Sequence, residues 1–210
     1  MVKSSLPIPG FFVDSLPGIS GTDCRELLRN IEIQAGAGDI FLWLKQLRVA
    51  PYSYDFIDNR GKKSPACIIE NLPPLKVNTH FLLAFHILEF TENSFIACRF
   101  CEPVNPPVDR YMKNLFVEYR IVEFEDRSLL WCKIKGCFNR DIASKGFFHI
   151  FSIVNKIMMT RQLKNIKRLS ELSARGKVET REYNLTGCYA SSGLYWWVFC
   201  RRHNCKGLII

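Results

Sequence analysis

The sequence predicts an α+β domain in which an antiparallel sheet is covered by one long C-terminal helix. Three observations predict it. Residues 147–174 form an amphipathic run whose apolar members, Phe147, Phe151, Val154, Met158, Ile166 and Leu169, mostly recur at steps of three or four. Ahead of it, strand-like segments come in pairs around short polar turns. Ahead of those, two short helical patterns follow a first strand. At about 1.5 Å per residue the helix would run roughly 40 Å, enough to cross a small domain. Its apolar face either closes a packed core or roofs an apolar cavity.

The elements follow in chain order. Residues 1–23, rich in Pro, Gly and Ser, read as an irregular leader. Residues 25–34 alternate through Leu28, Ile31 and Ile33, a first strand with one imperfect step. Residues 35–38 make a turn. Asp39 is placed to cap a helix with Ile40, Trp43, Leu44 and Leu47 on its apolar side. Pro51 ends that helix, because the residue before a proline is driven from the helical region. Residues 52–59 suggest a second short helix, broken by Gly61, and Ser64-Pro65 resembles a further helix start. Residues 80–90 and 95–101 flank a turn at 91–94, and 115–124 and 129–138 flank another at 125–128. In 115–124, Phe116, Glu118, Arg120 and Val122 share one face, and Val117, Tyr119, Ile121 and Glu123 the other. The prolines at 103, 106 and 107 make the stretch between the pairs a loop. One domain over 24–175, with a tail at 176–210, suits a chain of 210 residues.

Charge separates the chain into two parts. Residues 1–139 hold 16 basic and 16 acidic side chains; residues 140–210 hold 13 and 4, the whole net charge of +9. A basic helix and tail suit an anionic partner, a phospholipid surface or a nucleic acid, or simply a solvated face. Pro7, Pro9 and Gly10 interrupt any apolar run at the N-terminus, and the apolar stretches at 81–90 and 194–200 are too short to span a bilayer. The expectation is a soluble, cytoplasmic protein. Nine cysteines, an odd number without a small-domain framework, are expected as thiols.

Motifs for chemistry are sparse. Cys98 and Cys101 have metal or redox spacing but no matching second pair. Cys200, His203 and Cys205, with Cys188 as a fourth, are soft ligands among Arg201, Arg202 and Lys206, which oppose a cation. No metal and no cofactor is expected. His80 and His86, six apart, would face one side of a continuous strand. No nucleophile elbow or phosphate loop is present. Residues 52–59 are dense in aromatic and hydrogen-bonding groups and suit one side of a pocket, or local packing and capping. The apolar cluster at 194–199 is either docked on the domain or exposed beside Arg201 and Arg202.

Three segments carry a family resemblance. Trp43-Leu44-Lys45-Gln46-Leu47 followed by Tyr52-Ser53-Tyr54-Asp55-Phe56-Ile57-Asp58-Asn59 resembles a first helix and a Tyr-rich signature. His86-Ile87-Leu88-Glu89-Phe90 and Glu118-Tyr119-Arg120-Ile121-Val122 resemble middle strands, and residues 158–169 a terminal helix. Over about 25–173 the chain resembles the SRPBCC superfamily of helix-grip proteins, which includes START lipid-transfer domains, pollen-allergen-like and polyketide cyclase/dehydrase-like proteins. The likeness is to its bacterial branch. The chain departs in having Asn78-Thr79 where that branch usually has Gly-Asp, and in its tail. The resemblance implies a curved antiparallel sheet gripping the long helix, two short N-terminal helices, and a largely apolar cavity. Relatives bind lipids, sterols or polyketides, and some catalyse cyclisation; fold does not fix function.

The first reading is binding, and by extension transport, of a hydrophobic small molecule such as a lipid or polyketide-like compound. Trp43, Phe151, Val154 and Met158 would form wall or mouth; Tyr52, Tyr54 and Asp55, with Arg120, would supply polar groups. The second is a cyclase/dehydratase- or hydrolase-like enzyme in the same cavity, with Asp55, Tyr54 or Arg120 as acid or base. The third is anionic membrane-surface binding through Lys156, Lys164, Lys167, Arg168 and the tail. Nucleic acid fits less well, because aromatic groups do not interleave with those cations.

Overall fold

A computed structural model describes residues 8–18, 20–53, 63–82, 85–100, 110–125 and 127–182. The chain opens with a helical turn, α1 (Phe12–Ser15), and a long strand, β1 (Thr22–Ile33). Then come α2 (Ala37–Lys45) with a 3-10 turn at Gln46–Arg48, and the short strands β2 (Ile68–Ile69) and β3 (His80–Phe81). Strands β4 (Phe85–Thr91), β5 (Phe95–Phe100), β6 (Met112–Glu123) and β7 (Ser128–Asn139) lead into the long helix, α3 (Ile142–Ala174), and a last strand, β8 (Thr180–Arg181). Six strands form one antiparallel sheet in the order β1-β7-β6-β5-β4-β3. Helix α3 packs on β1, β7 and α2. The architecture is the α+β helix-grip arrangement, with one long C-terminal helix on a large antiparallel sheet.

Side-chain alternation explains which face is which. Leu27 and Ile33 of β1, Leu130, Cys132 and Ile134 of β7, Val117, Tyr119 and Ile121 of β6, and Ile96 and Cys98 of β5 enter the core under α2 and α3. The opposite face carries Phe116, Leu129, Trp131 and Ala97, covered by Phe11 and Val13 of the N-terminal segment. Sequence alone suggests an irregular stretch there; the structure uses residues 11–16 as a third layer. For this reason β7 is buried along nearly its whole length rather than at alternate positions.

Both ends of α3 are capped. Asp141 caps α3, its carboxylate accepting from the Ser144 backbone N–H at 2.9 Å. Gly176, at φ 64°, closes it, with Lys177 N–H donating to the Leu172 carbonyl at 2.9 Å. At 33 residues the helix is about 50 Å long, exceeding the sequence expectation by its first turn and a half. Asp39 is not the cap of α2. Gly36 holds that position, and the Ala37 N–H donates to Glu123 Oε1 at the end of β6, 2.9 Å away.

Two local expectations are corrected. No helix begins at Ser64-Pro65. The Ile68 N–H donates to the Glu179 carbonyl and the Glu70 N–H to the Arg181 carbonyl, so β2 pairs in parallel with β8 instead. His80 and His86 do not share one strand. The chain reverses between them, Leu82 taking φ 47°, and the two imidazoles face each other across β3 and β4 with ring centres 4.4 Å apart. The second short helix expected at 52–59 falls largely outside the described residues.

Candidate functional site

The site is built where the inner face of the sheet meets α2 and α3. Tyr119 stands on this face because it alternates with Val117 and Ile121 along β6, directly opposite Cys132 on β7. Its surroundings are apolar, yet its hydroxyl donates to Gln162 Oε1 at 2.5 Å. Gln162 projects from the buried side of α3, between Met159 and Ile166. Its amide donates onward to the Pro51 carbonyl at 2.6 Å, and Asn165, one turn along, donates to the Tyr52 carbonyl at 2.8 Å. Two amides of the long helix therefore hold the chain at 51–52. Tyr52, at φ 52°, sets its ring edge-on to Trp43 with centres 5.9 Å apart, and the Trp43 indole N–H donates to Ser173 Oγ at 2.9 Å.

Burial sets the chemistry of this cluster. Desolvation, helped by the neighbouring Cys132 and Cys98, raises the Tyr119 phenol well above its usual range. Desolvation likewise pushes the Cys132 thiol up to about 12. At neutral pH the phenol is therefore a neutral hydrogen-bonding group, and the thiol has no nucleophilic thiolate to offer.

Elsewhere on the same core lie half-buried apolar side chains. Phe147 and Phe151 of α3 pack against Phe138 of β7, with ring centres 6.4 and 5.7 Å away, and Tyr111 stacks on Phe147 at 5.2 Å. On β4 and β5, Phe85 and Phe100 meet edge to face at 5.3 Å against the same core.

Of the sequence-derived candidates the structure brings together Trp43 and Tyr52; Phe151 packs on Phe138 well toward the other end of α3, and Met158 is half-buried on the helix flank. Tyr54 and Asp55 lie outside the described residues. Arg120 is a correction: it projects from the opposite face of the sheet. There it pairs with the buried Glu118 at 2.7 Å, and its guanidinium lies 4.4 Å from the centre of the Phe95 ring. Strand alternation dictates this, since Arg120 adjoins the inward Tyr119. Val154 is a second correction. It precedes Met159 by five residues, about 140° around a helix of 3.6 residues per turn, and is 43% exposed. Of the basic residues, Lys156, Lys164 and Arg168 are exposed, whereas Lys167 donates to the Glu32 carbonyl at 2.7 Å and pairs with Glu171 at 2.6 Å.

Sequence reasoning placed Tyr119 on its strand face without selecting it, and passed over Gln162. The available signal was a carboxamide at a core position of the helical period. Among the described residues no group of three His, Cys, Asp or Glu side chains could hold a metal, and no helix is long and apolar enough to cross a membrane. Cys98 is buried on the inner face; Cys101 and the Cys200, His203 and Cys205 cluster lie outside the described residues.

No family model and no curated protein matches the sequence. Solved structures are similar in fold. A truncated norcoclaurine synthase from Thalictrum flavum aligns at 12% identity over 73% of this chain and 97% of its own, TM-score 0.45. The same enzyme in complex with dopamine and hydroxybenzaldehyde aligns at 13% identity over 84% and 99%, TM-score 0.44. The di-domain ARO/CYC protein StfQ from the steffimycin biosynthetic pathway aligns at 8% identity over 72% and 52%, TM-score 0.43. These neighbours are SRPBCC-type helix-grip proteins. At such identities and scores the functional reading rests on this chain's own side chains.

Proposed function

We propose that the chain binds a hydrophobic small molecule with one polar end, such as a lipid or polyketide-like compound, between the inner face of the sheet and helix α3. The observation that carries the reading is the Tyr119–Gln162 pair. It is a buried donor and acceptor facing each other across the apolar interface between sheet and helix. A ligand hydroxyl inserted there would accept from the phenol and donate to the amide oxygen, leaving neither unsatisfied. The rest of the molecule would gain about 25 cal/mol per Å² of apolar surface removed from water, before ordering costs.

Binding is favoured over catalysis by the same groups. The Cys132 thiol offers no thiolate at neutral pH, and Arg120 faces away from the inner side of the sheet. The test is native mass spectrometry of the full chain after gentle purification, with organic extraction of the same sample. The expected result is a small apolar adduct released by denaturation, and weaker retention of hydroxyl-bearing adducts by Tyr119→Phe than of pure hydrocarbons. Bare chain mass, with no uptake from a panel of fatty acids, sterols and aromatic polyketides, would remove the proposal.

A further inference from the structure

The solvent side of α3 changes character along its length. Ile150, Ile153, Val154 and Ile157 follow the helical i, i+3, i+4, i+7 spacing and are 67%, 61%, 43% and 52% exposed. The same angular stripe continues as Arg161, Lys164 and Arg168, all exposed. The single acidic residue of the helix, Glu171, is engaged by Lys167 and by the Gln34 N–H. From Ile150 to Arg168 the stripe runs about 27 Å along the axis. It lies opposite the face formed by Met159, Gln162, Leu163 and Ile166 that packs on the domain.

Large apolar side chains in a row on a water-facing helix signal a partner. The charge beside them indicates its chemistry. A second copy of this chain would bring like cations together, and four apolar side chains fall far short of the roughly 20–30 residues per side of a stable protein interface. The basic residues of the tail, Arg201, Arg202 and Lys206, add no complementary charge either. A surface that is apolar below and anionic above satisfies both halves of the stripe, and none of the described helices is suited to cross it.

We propose that the outer face of α3 docks in the plane of an anionic phospholipid membrane. Ile150, Ile153, Val154 and Ile157 enter the headgroup–acyl boundary, while Arg161, Lys164 and Arg168 meet the phosphates. The sheet and the Tyr119–Gln162 site lie on the side of the helix away from the lipid. The proposal does not depend on whether a ligand occupies that site.

Co-sedimentation of the full chain with vesicles of phosphatidylcholine alone, or of phosphatidylcholine with phosphatidylserine, tests this at low and high salt. Binding is expected to the phosphatidylserine vesicles and to be largely released by salt, because exposed charges are screened. Ile153→Glu with Ile157→Glu is expected to lower the partition coefficient at least about tenfold, as is Arg161→Glu with Lys164→Glu. Lys76→Glu, a charge reversal on another exposed loop, is expected to leave it nearly unchanged. All substituted side chains are exposed, and an unaltered melting curve identifies each folded variant; either double variant alone suffices for the test. Equal binding to both vesicle types, undiminished binding by either folded double variant, or no binding to either vesicle would overturn the proposal. So would a dimer on sizing chromatography that the isoleucine variants convert to monomer without any vesicle binding.

Discussion

Gln162→Leu removes the residue that joins the sheet, the long helix and the 51–52 segment. Leucine nearly conserves volume, so the effect is chiefly polar. The Tyr119 hydroxyl loses its acceptor at 2.5 Å and the Pro51 carbonyl its donor at 2.6 Å, both in buried hydrogen bonds. Each orphaned group costs about 1–3 kcal/mol, against about 1 kcal/mol returned by the added apolar burial. A net loss of about 1–5 kcal/mol follows, a fall in melting temperature of roughly 2–20 °C for a chain of this size. Urea unfolding measures it as a lower midpoint at unchanged slope. Tyr119→Phe and the double variant complete a cycle, in which a coupling of at least about 0.5 kcal/mol is expected between the two side chains. A Gln162→Leu protein as stable as the parent, with no coupling to Tyr119, would refute the clamp.

Other consequences are equally open to measurement. An added methyl group at Gly136 would sit 2.6 and 2.9 Å from ring carbons of Phe138, and that ring is wedged by Phe148 and Phe151. Gly136→Ala should therefore cost about 1–3 kcal/mol in urea unfolding; an unchanged midpoint would show that the ring can yield. Glu118 has its carboxyl raised by burial, partly offset by the Val13 N–H and Arg120. The folded state then holds its proton more tightly than the unfolded state, so this residue's contribution to stability falls as pH rises through the window just above 4.5. Glu118→Gln should flatten that part of the stability–pH curve, and an identical curve would contradict it. Asp141 is held below its usual range by the Ser144 hydroxyl and N–H. Its capping contribution should be present at neutral pH and disappear as pH falls below 3.8. Asp141→Ala should lower the melting temperature at pH 7 but not in strong acid; equal loss at both would assign the effect to something other than the carboxylate.

Much of the fold is legible in the sequence because its signals are local. The hairpin strands announce themselves by alternation and by their turns: Asn93, at φ 58°, is the kind of residue that tolerates the left-handed region. The long helix is legible from its period, although a period alone did not separate Val154 from the packed side. Contacts that cross the chain left no local trace. Glu123 capping α2, Gln162 holding Pro51, and β8 pairing with β2 each join residues 86 or more apart, and nothing in the neighbourhood of either partner points to the other. For the site, strand alternation was enough to put Tyr119 inward and Arg120 outward. The cover provided by Phe11 and Val13 was hidden by prolines and glycines that read as an irregular leader.

Methionine methyl groups offer the most direct view beneath the helix. Met112 and Met159 are buried in the inner core, Met158 is half-buried on the flank of α3, and Met1 is remote in sequence. In methyl NMR spectra of the full chain titrated with a long-chain fatty alcohol, Met159 and Met112 should shift saturably. Tyr119→Phe should weaken that response, and Met1 should stay still. Buried methyl signals that do not move, while the alcohol only perturbs exposed sites or forms micelles, would contradict a guest between the sheet and the helix.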